Sequence, residues 1–262
     1  MARVCQLFSG SSGNSILISS KGHNLLVDIG VSAKRCEDAL KAIDVSPDSI
    51  EAVFVSHEHT DHSKGLRVFS KKHSVPVFAS EACIEKMYSE KLIDYTTDIR
   101  TFDYHTNIGG VEIMGFKQSH DSVDCLGYRF NFDSGRSVGI CTDTGFVTQN
   151  AKQVLRGVDM IFIESNHETT MLQMGPYPYP LKQRILSERG HLSNFACSEF
   201  IKELAESGTT RFVLCHLSRE NNLPEIARQT AVSALSELGL LENQDYRLYV
   251  SPEENAGRGI TI

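Results

Sequence analysis

The run "VFVSHEHTDHSKGL", residues 53–66, places His57, His59, Asp61 and His62 within six positions, directly behind residues suited to a buried strand. A chain that only turns a corner uses Gly, Asn, Asp or Pro, because those residues supply the dihedrals of a turn. Imidazole does nothing for a turn. Neutral imidazole nitrogens and a carboxylate oxygen are ligands for Zn, Mn or Fe, and a tight loop behind a rigid strand holds four of them close together, some toward one ion and some toward another.

Four residues cannot complete two ion sites. Further candidates stand at the ends of later apolar runs: His120 after "VEIMGFKQS", Asp143 after "SVGICT" and His216 after "RFVLC". A lone strand-end histidine is commonly structural, but three ligand-type residues beside a complete H-x-H-x-D-H reverse that reading. The Gly/Ser loop 9–15, which contains Ser12 and Asn14, either offers backbone N–H groups to a phosphate or closes a turn between two strands. It lacks the Walker lysine. Lys64, Arg67, Lys71 and Lys72 follow the histidine cluster with no intervening acid, as a solvated helix face or as a short surface for a polyanion.

The elements that must position these residues are legible as short runs rich in Val, Ile and Phe: "LLVD", "AVFVS", "VPVFAS", "VEIMGF", "MIFIES", "RFVLCH" and "YRLYVS". Between them lie helical patterns. Cys36, Ala39, Leu40 and Ile43 follow i, i+3, i+4, i+7 behind a candidate N-cap at Ser32, and Cys197, Phe200, Ile201 and Leu204 repeat that spacing behind Ser193. "VCQLF" with "NSILIS", and "CLGYRFNF" with "SVGICTD" around Asp133–Arg136, read as hairpins, so the sheet is expected to be mixed. Strands alternating with helices over this length predict a layered α/β fold. Residues 174–183, "MGPYPYPLKQ", carry three prolines in five positions and predict an irregular excursion over a site.

The length of 262 residues suits one large domain, taken here as 1–262, and no linker argues for two. A composition that is 40% hydrophobic and 23% charged excludes a disordered or fibrous chain. The seven cysteines are odd in number, scattered and without a C-x-x-C, which argues against a disulfide framework or a thiolate zinc site. No signal-like N-terminus and no membrane-length apolar run are present, so the expected compartment is the cytoplasm, with no membrane partner. A formal charge of -7 argues against wrapping nucleic acid over the whole surface, so any polyanion must meet a local site.

In these motifs the chain resembles the metallo-β-lactamase superfamily over nearly all its length: Asp28 ending "NLLVD", the H-x-H-x-D-H, then His120, Asp143 and His216 in order. The resemblance implies an α/β fold, the αβ/βα four-layer sandwich, with two divalent metal ions (Zn, Mn or Fe) at the sheet edges. It implies one ion on His57, His59 and His120, and another on Asp61, His62 and His216. Asp143 would bridge, Asp28 would orient a ligand by a hydrogen bond, and Asp61 would also count among the catalytic residues.

"FSGSSGNS" (8–15), "GHLSN" (190–194) and "CHLSRENN" (215–222) are similar to the WalJ (YycJ) subgroup. That likeness implies His191 beside the metals on the scissile phosphate, and a site-proximal role for Glu164, Asn166 and His167, with the last two binding substrate. Glu164, Asn166 and His167, at the end of "MIFI", are equally compatible with a structural loop.

A phosphodiester also suits the chemistry independently. Two cations about 3.5–4 Å apart activate a water and neutralise a pentacovalent phosphorus, leaving only the leaving oxygen in need of a proton. An imidazole at the start of "SNFACSEFIKEL" is placed to give it. The resemblance implies a 5′-to-3′ exonuclease on double-stranded DNA, linked to mismatch repair. The alternatives are a small-molecule hydrolase of a cyclic phosphodiester or thioester and a regulatory partner protein on the same fold. Protein partners are left open.

Overall fold

The apolar runs become strands where the alternation places them. The computed structural model describes residues 2–255 and 259–262. In chain order the strands are β1 (Ala2–Phe8), β2 (Ser15–Ser20), β3 (His23–Val27), β4 (Ile50–Phe54), β5 (Val77–Ala79), β6 (Ile99–Thr101), β7 (His105–Ile108), β8 (Val111–Gln118), β9 (Cys125–Phe132), β10 (Ser137–Cys141), β11 (Met160–Glu164), β12 (Arg211–Cys215), β13 (Arg247–Val250) and β14 (Ile260–Thr261). The helices are α1 (Ala33–Ala42), α2 (Thr60–Ser63), α3 (Leu66–His73), α4 (Glu81–Ser89), α5 (Gln149–Leu155), α6 (Thr169–Met174), α7 (Tyr179–Leu186), α8 (Asn194–Glu206) and α9 (Pro224–Glu237).

Among the described residues the strands form two sheets, ordered β14-β1-β2-β3-β4-β5-β6 and β13-β12-β11-β10-β9-β8-β7. Both are mixed. The hairpins β1–β2 and β9–β10 are antiparallel as expected, while β3–β4–β5–β6 and β10–β11–β12–β13 are parallel runs joined through helices.

Each sheet is buried on both faces, so successive side chains feed different cores. On β11, Met160 and Phe162 enter the core between the sheets, whereas Ile161 and Ile163 pack outward with α8 and α9 residues such as Phe200 and Leu235. Leu40, Phe69 and Met87 of α1, α3 and α4 close the outer face of the first sheet over Leu17 and Val53. The result is four layers, α/β/β/α. The N-caps expected at Ser32 and Ser193 are present: each hydroxyl accepts from the backbone N–H three residues on, Arg35 and Ala196.

The proline-rich segment differs from its expectation. Only the stretch between α6 and α7 is irregular, because Pro178 caps α7 and Pro180 lies in its first turn. A helix needs no N–H donor there, so these prolines start a helix rather than prevent one.

Candidate metal centre

The strand ends converge at one rim. His57 follows β4, Asp28 follows β3, Asp143 follows β10 and His216 follows β12, so parallel strands deliver their C-terminal ends to a common crevice. Asp28, Asp143 and His216 have positive φ values of 61°, 59° and 54°, which turn each residue sharply off its strand. Asp and His tolerate this left-handed region better than most residues, and such strain concentrates at functional sites.

Gly30 lets the loops cross. A Cβ there would lie 1.6 Å from the carbonyl oxygen of Asp61. The Asp61 carbonyl in turn accepts from the Asn14 N–H at 2.8 Å, and the Gly30 N–H donates to the Asn14 carbonyl at 2.8 Å. Loop 9–15 is thereby locked to the histidine loop.

Ligand-type atoms fall into groups within 4.8 Å of one another: His57 with His59 and His120, Asp61 with His62 and His216, His57 with His62 and Asp143, and Asp143 with Glu164, His191 and His216. Two groups are those the motif reading assembled, and Asp143 reaches residues of both, as a bridging carboxylate must. His57 Nε2 stands 3.0 Å from His59 Nδ1.

The remaining imidazoles are each fixed from behind. His62 Nδ1 is 2.8 Å from Asp28 Oδ2, His120 Nδ1 is 3.1 Å from the Gly190 carbonyl, and His216 Nδ1 is 2.9 Å from Glu164 Oε1. An acceptor at Nδ1 selects the tautomer in which Nε2 carries the lone pair, and that is the nitrogen facing the cluster. Asp28 itself is held by the N–H and hydroxyl of Ser56, both at 2.8 Å.

Two buried atoms of the cluster, Asp143 Oδ2 and His216 Nε2, meet no hydrogen-bond partner among the described residues. An orphaned carboxylate oxygen and imidazole nitrogen carry a heavy desolvation cost that a divalent cation would offset, so this donor set fits the expected metal. Burial works against charge on His62, yet Asp143, Asp28 and Asp61 raise its pKa well above the ordinary value. Burial, reinforced by the neighbouring His62, takes His57 well below it. Excess negative charge is thus collected on the side of His62.

The family likeness suggested that Glu164 lies near the site, and what it does there needed the fold. Fully buried at the end of β11, it takes His191 Nδ1 at 2.6 Å and His216 Nδ1 at 2.9 Å on one oxygen. Its other oxygen accepts the Thr144 and Leu192 N–H groups. With both oxygens so engaged, Glu164 holds the two imidazoles from behind. Its one sequence signal was a carboxylate closing an apolar strand, as Asp28 does. Burial alone would lower the His191 pKa, but the Glu164 carboxylate outweighs it and raises it above the usual histidine value.

His191 lies at the mouth of a cavity of ≈ 240 Å³ that His59, Asp61, His120, Asp143 and His216 also line. Asn166 lines it too, whereas His167 is buried beneath. In loop 9–15 it is Ser11 that reaches the cavity; the exposed Ser12 accepts from Arg219, and Asn14 is buried with its amide on Gly10 and Asp61. The wall facing the ligands is α7 and the turn before it, through Tyr177, Leu181, Arg184 and Ile185. Lys64, Arg67, Lys71 and Lys72 do not line it, and Lys72 instead pairs with Glu37 at 2.7 Å.

Residues 23–217 match the family model of the β-lactamase superfamily domain. The chain is 34% identical to exodeoxyribonuclease YycJ of Bacillus anthracis over 251 residues, 93% of this chain and 92% of that one. It is also 34% identical to exodeoxyribonuclease WalJ of Streptococcus pneumoniae over 254 residues, 95% and 94% of the two chains. The metallo-β-lactamase fold protein YhfI of Bacillus subtilis superposes with a TM-score of 0.72 at 18% identity, over 97% of this chain and 98% of that one.

Proposed function

Because this chain belongs to the metallo-β-lactamase superfamily, we propose that it is a metal-dependent nuclease that hydrolyses phosphodiester bonds of DNA from an end. The observation that carries this reading is His191. It is an imidazole beside the ligand cluster, anchored through Nδ1 on Glu164 and bordering the same cavity as the ligands.

His57, His59, His120, Asp61, His62, Asp143 and His216 would hold two divalent ions, which would supply an activated water and neutralise charge at phosphorus. This chain's residues do the rest. Asp28 and Glu164 hold the imidazoles in the ligand tautomer, and the left-handed turns at Asp143 and His216 aim them inward. With Nδ1 on Glu164, His191 has Nε2 left to hold a phosphate oxygen or to pass a proton to the leaving oxygen. The α7 wall excludes water from one side, and its Arg184 places a cation at the cavity while paired with Asp121.

A cavity of ≈ 240 Å³ has room for one nucleotide unit rather than a duplex cross-section, which supports attack at a terminus. The exodeoxyribonuclease relatives support DNA as the polymer. Polarity from 5′ to 3′, double-stranded substrate and a place in mismatch repair extend the same reading. The size of the cavity also favours a second reading, a hydrolase of a small diester.

The test is a nuclease assay of metal-loaded protein on duplex DNA labelled at either end, beside bis(p-nitrophenyl) phosphate. Stepwise release from the 5′ end, lost together with metal content in Asp143→Ala, is expected. Cleavage of the small diester but of no DNA under any divalent ion would transfer the conclusion to the second reading.

A further inference from the structure

A second, larger cavity lies away from the candidate metal centre. It measures ≈ 860 Å³, opens between the β1–β14 and β12–β13 edges of the two sheets, and shares no lining residue with the ligand cluster. Its floor is inter-sheet core, Phe162 and Val213, with Tyr249 packed alongside. Its charged lining is Arg3, Arg211 and Arg247, and no Asp or Glu occurs among the described lining residues.

That is unusual in a chain with 33 acidic and 26 basic residues. Elsewhere arginines find carboxylates: Arg35 with Glu254, Arg136 with Asp159, Arg219 with Glu253 and Arg228 with Glu242. Two of those acids, Glu253 and Glu254, stand beside the cleft in sequence but are engaged outside it. Arg3 donates to the Ile43 carbonyl at 3.2 Å, while Arg211 and Arg247 have no side-chain partner among the described residues.

Arg211 and Arg247 are in-register partners on neighbouring parallel strands. Their side chains therefore leave the sheet on one face from backbones about 5 Å apart. Two arginines rooted so close on one face can turn their guanidiniums to a single anion, the arrangement that holds a phosphate. Val213 and Tyr249, the next pair on that face, are also in register, so an aromatic ring stands one step along from the charge. An apolar floor, one ring and two unsatisfied arginines in a cavity of this size match a ligand with an anionic head and a flat body.

We propose that this cleft binds a mononucleotide, with its phosphate between Arg211 and Arg247 and its base against Tyr249. The site is distinct from the metal centre: Arg211 opens β12 and His216 follows the far end, about 16 Å away at about 3.3 Å per residue.

The experiment is photolabelling of the metal-loaded protein with 8-azido-dAMP, followed by peptide mapping. Label is expected on the segment around β13 as well as at the α7 wall. In Arg211→Gln/Arg247→Gln the β13 label should fall at least tenfold, while hydrolysis of bis(p-nitrophenyl) phosphate stays at the parent level and reports an intact fold. Should the double variant not fold, Arg247→Gln alone, at an exposed position, should lower that label severalfold. Competition by unlabelled dAMP but not by adenosine would support recognition of the phosphate. No label near β13 in the parent, equal label in the variants, or competition by adenosine as strong as by dAMP would overturn the proposal.

Discussion

At the scale of single residues, the proposed function separates the imidazoles grouped as candidate ligands from His191, which it assigns to the substrate. His191→Ala should keep its metal content and lose a factor of about 10² to 10⁴ in turnover, the usual worth of a positioned proton donor. Loss of metal in that variant would make His191 a ligand and require a different centre. Glu164 makes the opposite prediction because it holds His216 as well as His191 on one oxygen. Glu164→Gln leaves one acceptor oxygen where two are used, so its NH2 must face either the two imidazoles or the Thr144 and Leu192 N–H groups, and the rings lose their anchor or the anchor loses its own support. Metal affinity should fall by roughly 10- to 100-fold, the usual effect of removing a partner behind a ligand. Titration with a chromophoric chelator reads this without turnover, and unchanged affinity would remove Glu164 from the site.

At the scale of elements, one junction shapes the site and another ties the helices beside it. The first is the crossing of loops at Gly30, where an added Cβ would collide with the backbone of Asp61. Backbone cannot move aside as a side-chain tip can, so Gly30→Ala should cost at least about 1–3 kcal/mol, the range for overpacking. It should weaken metal binding at the same time, and a melting curve within a degree of the parent would contradict the role given to this crossing. The second junction ties α1 to α3, where Glu37 accepts from Lys72 at 2.7 Å and lies 3.3 Å from His73. The Lys72 ammonium, against the opposing effect of burial and helped by His73, holds the Glu37 pKa below its usual value. A carboxylate depressed in the folded state contributes stability above its unfolded pKa and loses it as pH falls through the folded one. The stability gap between the parent and Glu37→Gln, measured by denaturant midpoints, should therefore be full at neutral pH and close below the ordinary glutamate range. A gap constant in pH would show that the pair contributes no ionic term.

At the scale of the whole molecule, the balance of charge governs how a polyanion reaches the centre. With a formal charge of -7 and a narrow cavity, few phosphates are neutralised on binding. If two are, affinity for duplex DNA should drop only about tenfold between 50 and 200 mM salt, at about -0.9 in log–log slope per phosphate. Arg184 lines the cavity while Lys71 and Lys72 do not. Arg184→Ala should accordingly reduce cleavage of DNA more than of bis(p-nitrophenyl) phosphate, and Lys71→Ala/Lys72→Ala should change the ratio little. A selective loss of DNA cleavage in the lysine variant would instead place the DNA path over α3. Among the described residues no helix is long and apolar enough to cross a membrane. The seven cysteines are buried, with burial raising the Cys36 thiol to about 12 despite a hydrogen bond from Ser15.

The candidate ligand residues were legible before any fold was known, because imidazoles packed at H-x-H-x-D-H spacing serve no turn, and because His120, Asp143 and His216 each end an apolar run; the fold brings them together. Strand positions and the two serine N-caps were legible for the same reason: alternation and capping are local, and a few neighbours decide them. The roles of Glu164, Ser56 and the α7 wall were not. Glu164 anchors residues 27 and 52 positions away, and Arg184 meets Asp121 across 63 positions. Such pairings depend on which strands become neighbours, and no local pattern encodes that. The three prolines at 176, 178 and 180 read as an irregular excursion until the structure placed Pro178 at the cap of α7 and Pro180 in its first turn. The cleft at Arg211 and Arg247 is the extreme case, since those residues are 36 positions apart, look like ordinary surface charges in the sequence, and become neighbours on one face only through the register of β12 on β13. Chemistry carried by one loop is written in the order of its residues; chemistry assembled between strands exists only once the sheets have formed.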